Sequence, residues 1–328
     1  MTRFACLTLT AALASAALHP AAAQTNLGLM TTPWGASGPV DGRIGGLGLS
    51  SDADGGGSVD LAGYDASLRF RPAWDADPAG DDSRFTLGLE AAYLDLDADS
   101  GLPLPTRLTD QALAAGSRVG GFAAFDRRWA WGVSGGFGHA SSDPFDDPDG
   151  WYGLGAVHAV TQVGAAGSLM LGIDYDGNRP ILPDTPLPAI SYAAPLNDTT
   201  FLVLGFPVTS INWSPNDRLT ARVSLFGINP SARVSYALDE RVELFARYGS
   251  DQLSSRDADD DPDRRIFYTS QVVEAGVALE SGSPLSLTIS GGFAFDQAFE
   301  RGFDLRDTDD LVELDDAGFF RIAAGLSF

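Results

Sequence analysis

From about residue 41 onward, apolar and polar side chains alternate with period two, in segments of about ten residues. The last segment is the clearest. Phe320, Ile322, Ala324, Leu326 and Phe328 share one face, and Arg321, Ala323, Gly325 and Ser327 share the other. The pattern returns in Leu219, Ala221, Val223 and Leu225 against Thr220, Arg222 and Ser224. It returns in Ala232, Val234 and Tyr236 against Ser231, Arg233 and Ser235, and in Val242, Leu244, Ala246 and Tyr248 against Glu243, Phe245 and Arg247. Successive strand residues point to opposite faces, so each segment reads as a strand with one apolar and one polar side. Gly is scattered through every apolar stretch, which disfavours helices.

The alternation predicts strands near 41–51, 59–71, 84–95, 116–126, 129–140, 150–163, 167–176, 199–213, 217–226, 229–238, 241–250, 265–280, 284–296 and 317–328. A soluble sandwich and a transmembrane barrel both produce such strands. Three observations favour the barrel. The apolar faces carry almost no charge. The strands have the ~9–12 residues that a tilted strand needs to cross a bilayer, where sandwich strands run nearer 5–6. The connections alternate in length. Those at 126–128, 164–167, 214–217, 239–240 and 281–284 are tight, and those at 95–115, 141–149, 177–199, 251–264 and 297–316 are long. Short periplasmic turns and longer extracellular loops are the barrel signature.

Two connections break that rhythm: 72–83 is long for its side, and Gly227 to Asn229 is short. The phase also shifts at Pro207, which predicts a bulge. With both termini periplasmic, Trp129, Trp131, Trp213 and Phe328 fall at inner strand ends, and Tyr93, Tyr175, Tyr248 and Phe295 at outer ends. Two such girdles suit rings that favour the headgroup level. The fold expected is all-β: a transmembrane antiparallel up-and-down β-barrel of about 14 strands, with 12 as the alternative.

The first residues carry a different pattern. Arg3, the apolar stretch Phe4 to Leu18 and the small residues Ala21 to Ala23 read as a secretory signal peptide over 1–23, with the barrel over 24–328. The one Cys, Cys6, lies inside that signal, so no intrachain disulfide or CxxC metal site is available. The chain has 21 basic residues, all Arg, against 44 acidic ones, a formal net charge of -23. A nucleic-acid binder needs the opposite sign to displace phosphate counterions.

The signal, the repeated amphipathic strands and the final strand GFFRIAAGLSF together resemble Gram-negative outer-membrane β-barrel proteins, porin-like in type. The stretch FPVTSINWSPNDRLTARV is also similar to an uncharacterised family of such barrels. The resemblance implies export to the bacterial outer membrane and surroundings of outer-membrane lipid and lipopolysaccharide. It also implies recognition of the terminal Phe328 by the barrel-assembly machinery. It covers essentially the whole chain after the signal and speaks to location and architecture, not to a solute.

The polar faces supply the candidate lumen: Arg69, Glu90, Asp174, Arg222, Arg233, Glu243, Arg247, Glu274 and Arg321, with Asp65 and Asp296 in the same phase. Such charges tune selectivity in an open barrel or pair with one another to brace a closed one. His139-Ala140-Ser141, with Asp143 nearby, has a spacing that resembles lipid A deacylases. The same spacing arises wherever a strand ends in a loop, and no catalytic residue is assigned. Asp257 to Asp263 has a calcium-like D-x-D-x-D, but Pro262 stands where the loop needs Gly, so an acidic solvated extracellular loop is expected. No cofactor, metal or enzymatic activity is expected. The expected function is passive diffusion of small polar solutes or ions, with a closed structural or surface-interaction barrel and then a lipid-modifying hydrolase as alternatives.

Overall fold

The computed structural model describes residues 40–70, 85–256, 263–280 and 284–328, without the side chains of 118–120. The signal segment and the 72–83 connection lie outside the described residues. The strands are β1 (Val40–Asp52), β2 (Ser58–Phe70), β3 (Phe85–Ala98), β4 (Arg107–Ala124), β5 (Arg127–His139), β6 (Trp151–Val163), β7 (Gly167–Asp176), β8 (Leu187–Asn197) and β9 (Thr200–Phe206). They continue as β10 (Val208–Trp213), β11 (Leu219–Phe226), β12 (Asn229–Ala237), β13 (Val242–Arg256), β14 (Arg265–Glu280), β15 (Leu285–Asp304), β16 (Asp307–Leu314) and β17 (Ala317–Ser327).

Each strand pairs antiparallel with the next. β16 and β17 pair with successive stretches of β15, so they are two halves of one strand interrupted at Asp315-Asp316. β17 then pairs with β1, from Asp41↔Ser327 to Leu49↔Phe319, and closes the sheet. The result is an all-β up-and-down barrel of 16 strands rather than 14 or 12. The first extra strand is β8, inside the expected loop 177–199. The second comes from splitting the expected strand 199–213: Pro207 is no bulge but the turn of a β9–β10 hairpin, with Ser210 opposite Val203 and Trp213 opposite Thr200. The long loops 251–264 and 297–316 are in part strand, because β13 and β15 run far beyond their expected ends.

The alternation decides which face meets what. Ile44, Leu89, Phe137, Ile173, Leu204, Val223, Phe293 and Phe320 are exposed on the outside, an apolar band of the kind that faces lipid. At the rim that carries the termini, Trp131, Trp213 and Phe328 are exposed. Trp129 there stacks on Phe122 at 6.3 Å and donates its indole N–H to the Ala124 carbonyl. Towards the opposite, outer rim lie the pairs Tyr64–Tyr93 at 6.3 Å and Phe137–Trp151 at 5.8 Å.

Two asymmetries follow. The wall is low on one side: β9 to β12 have 7, 6, 8 and 9 residues, and β13 to β15 have 15, 16 and 20. The outer turns of the low side are Pro207 and Gly227-Ile228, the latter using Gly227 at φ +56°. On the tall side the interior is packed. Leu49, Val59, Leu61, Leu94, Leu108, Leu253, Ile266, Val272, Phe299, Val312 and Phe319 belong to one continuous buried apolar cluster. It fills the outer half of the barrel between β1–β4 and β13–β17.

Candidate functional site

The outer half of the interior is crossed by direct contact between opposite walls. At the start of β4 and the end of β13, the Thr109 N–H donates to Ser255 Oγ at 3.4 Å, and Ser255 Oγ–H donates back to the Thr109 carbonyl at 3.2 Å. The Arg256 N–H donates to the Ala140 carbonyl, and the Ser142 N–H to the Arg256 carbonyl at 2.8 Å. Thr109 Oγ1 donates to the Ser141 carbonyl. This seam is made of hydroxyls and backbone, whereas the packed lobe beside it is apolar. On its other side lies a second, smaller lobe, lined along β4 to β6 by Ala112, Ala114, Tyr152, Leu154 and Ala156.

The segment 177–186 between β7 and β8 straps across the outer mouth. Pro180 accepts from the Leu305 N–H at 2.9 Å, and the Leu182 N–H donates to Asp304 at 3.2 Å, both at the tip of β15. The buried Arg265 donates to the carbonyls of Gly177, at 2.9 Å, and Phe303, at 3.0 Å. Asn178, at the strap's start, donates to the Ser254 carbonyl at 3.0 Å and to Asp110 at 3.3 Å, and Tyr152 donates to the same Asp110 at 2.5 Å. Asn178 therefore ties strap, seam and wall together.

Beneath the strap is a cavity of about 260 Å³. Ile181 and Leu182 of the strap, Leu187 at the start of β8 and the low-wall residues Phe206, Phe226 and Ile228 give it an apolar lining. Asp110, Asp174, Asp176, Asn178 and Gln252 give it a polar lining as well. Its members come from seven strands, the strap and two turns. No local motif marks it, and sequence reasoning missed it apart from Asp174.

Below the seam lies a belt of ion pairs. Glu274 pairs with Arg247 and, at 3.2 Å, with Arg321, and accepts from the Ser290 hydroxyl. Asp251 pairs with Arg321 at 2.5 Å and with Arg247 at 3.5 Å. Arg69 stands 3.6 Å from Glu90, and Arg43 stands 4.0 Å from Asp65. Nearer the terminal rim, Arg233 pairs with Glu243 at 2.9 Å and covers the Phe245 ring at 4.1 Å. Arg222, Arg233 and Arg247 occupy consecutive rungs of β11, β12 and β13, and Glu274 follows on β14. Asp174 is drawn off to the pocket, where it pairs with Arg179 of the strap. Asp251 falls within the expected extracellular loop 251–264. It sits inside because β13 continues past Tyr248.

Asp296 departs from the expected phase. It lies where the β14–β15 register shifts, at φ +49°, and its side chain is exposed. Phe328 has an exposed ring, and its N–H donates to the Val40 carbonyl at the barrel's closing seam.

The His139–Ser141 pair is buried at the outer end of β5. His139 packs 5.0 Å from Trp151 and 5.3 Å from Phe145, and its Nε2 meets the Asp147 carbonyl oxygen at 2.9 Å. Ser141 donates its hydroxyl to the Asp147 carboxylate at 2.8 Å, not to His139. His158 is buried on the inward face of β6. Most of the Asp257–Asp263 run lies outside the described residues.

No protein-family model and no curated protein sequence matches the chain. Solved structures do resemble it in shape. One is the monoaromatic hydrocarbon channel TodX in a deltaS2S3 mutant form, at 9% identity and TM-score 0.40, covering 89% of this chain and 91% of that one. Another is an outer membrane channel from Pseudomonas putida F1, at 11% identity and TM-score 0.37, covering 89% and 96%. A third is the translocator domain of the autotransporter NalP from Neisseria meningitidis, at 15% identity and TM-score 0.31, covering 88% of each chain. The likeness extends no further than barrel architecture.

Proposed function

We propose that the chain is an outer-membrane channel for small solutes whose interior is closed at rest, with the cavity beneath the 177–186 strap as its solute-binding vestibule. The observation that carries this reading is the contrast between the tall lobe and the seam and strap beside it. The tall lobe is closed by apolar packing, which water does not replace. The seam and strap are closed by hydrogen bonds of Thr109, Ser255, Asn178 and Ser254, which water can replace at little cost. A path would open along the second lobe, from the vestibule to the belt of ion pairs. Polar and charged side chains on inward faces suit a wet passage better than a permanently dry core, because buried ion pairs stabilise a fold poorly.

This replaces free diffusion through an open pore by gated passage. The closed structural barrel remains the second reading, and the apolar cluster inside the tall lobe favours it. Ser141 is buried and gives its hydrogen to Asp147 rather than to His139, which speaks against the third reading, a lipid-modifying hydrolase.

Single-channel recording in planar bilayers tests the proposal. The purified protein is expected to show long closed periods with brief conducting events, and Asn178→Ala should lengthen them. Silence in both proteins, across the voltage range they tolerate, would favour the closed structural barrel.

A further inference from the structure

We propose that the vestibule takes a small apolar amine, and that this molecule arrives sideways from the hydrocarbon layer, over the low wall formed by β9 to β12. The ligand class rests on the vestibule being the solute site. The sideways route can be tested without any conductance.

The route follows from strand length. A tilted strand needs about 9–11 residues to cross the hydrocarbon. β9, β10 and β11 have 7, 6 and 8. At ~3.3 Å per residue and a tilt near 40°, they rise roughly 15–20 Å, short of an apolar band ~25 Å tall. Their outer ends therefore stop inside the band.

The turns agree. Phe206-Pro207-Val208 and Phe226-Gly227-Ile228-Asn229 carry no charge, and Phe206 and Ile228 are exposed. The other outer connections carry Asp: Asp54 between β1 and β2, Asp99 between β3 and β4, Asp143 to Asp149 between β5 and β6, and Asp307 at the β15–β16 tip. An exposed Phe and Ile at a turn tip are more stable when lipid rather than water surrounds them. The strap, tied down by Arg265 and Asp304, covers the same cavity from the aqueous side.

The ligand follows from the two ends of the cavity. Next to the low wall the lining is mostly apolar, with Phe206, Phe226 and Ile228 beside Asn229. Away from the low wall three carboxylates, Asp110, Asp174 and Asp176, lie with the guanidinium of Arg179, and Arg265 donates to Asn178 beside them. Asp174 Oδ1 is buried with no hydrogen-bond partner among the described residues, an acceptor that an ammonium N–H would satisfy. A carboxylate at the same place would be repelled.

The test uses the full barrel in phosphatidylcholine nanodiscs. For the route, nitroxide is placed at Ile228→Cys, Val208→Cys and Gly55→Cys in a Cys6→Ser background, and collision with oxygen is compared with collision with a nickel chelate. Oxygen should dominate at Ile228 and Val208, and the chelate at Gly55. Chelate dominance at all three sites overturns the sideways route.

For the ligand, octylamine, octanol and octanoate are compared by their effect on the unfolding midpoint. Octylamine should raise it most and octanoate not at all. Asp174→Asn and Asp176→Asn should each weaken the octylamine response about tenfold and leave octanol unchanged. Equal responses to octylamine and octanol in all three proteins overturn the amine. A barrel that conducts while failing these tests retains the channel reading and loses this one.

Discussion

Thr109 and Ser255 stand 146 positions apart in the chain and exchange two hydrogen bonds across the interior of the barrel. A barrel needs no such cross-link, since its strands are already paired to both sides. The pair converts a round section into two lobes and gives the interior a closure that can be undone locally. Ser255→Ala removes both bonds and leaves the Thr109 N–H buried without that acceptor. The loss of about 1–1.5 kcal/mol from the closed form corresponds to roughly a five- to tenfold gain in open probability. Single-channel dwell times measure it, and unchanged closed times would show that the seam is not the gate.

Glu274 balances two guanidiniums, Arg247 and Arg321, and both also reach Asp251. Glu274→Gln leaves two positive charges sharing one carboxylate in a buried belt. Breaking such a set by removing one member costs about 3–5 kcal/mol. The urea midpoint of unfolding, followed by the electrophoretic shift between folded and unfolded barrel, should fall accordingly. An unchanged midpoint would mean that Asp251 alone satisfies both arginines.

Arg265 holds the strap through the Gly177 carbonyl and the β15 tip through the Phe303 carbonyl. Arg265→Gln is too short to reach both. In an Ile181→Cys, Cys6→Ser protein, water-soluble maleimide should label position 181 at least several-fold faster once Arg265 is replaced. Equal rates would place the strap's anchorage elsewhere, at Leu305–Pro180 or Asp304–Leu182.

Phe328 contributes little to the packed interior, since its ring is exposed at the terminal rim. Deleting it is therefore expected to lower the amount of barrel assembled in the outer membrane while leaving the unfolding free energy of the assembled fraction within about 0.5 kcal/mol. Quantitative blotting of membrane fractions alongside urea titration separates the two. Normal assembly after the deletion would remove Phe328 from the recognition signal.

The parts of this fold that are local were legible in the sequence. Alternation marked the strands from Leu219 to Tyr248 and from Phe319 to Phe328 because a two-residue period needs no knowledge of neighbours. β8 was hidden by Pro188 and Pro195, residues that cannot donate to a ladder and so argue against a strand. They are tolerated opposite Ile173 and Phe201. The β9–β10 turn was hidden because Phe206-Pro207-Val208 lacks the Gly, Asn or Asp of a water-facing turn. The inward charges were legible as a phase, but their partners were not, since Glu274 and Arg321 lie 47 positions apart. Seam, strap and cavity depend wholly on such distant pairings.

The apolar cluster of the tall lobe draws on Leu49, Val59 and Leu61 near the beginning of the described chain and on Val312, Leu314 and Phe319 near its end. No contiguous half of the sequence can build it. Until the final strand arrives beside β1, the inward leucines of the first strands have nothing to press against, and an unfinished barrel shows water an oily inner wall. Joining the two ends thus dries the interior in one event, and the ends are then held by more than ladder hydrogen bonds. Unzipping β1 from β17 must also tear that cluster apart, so the line along which the cylinder was last sewn becomes one of the slowest to part.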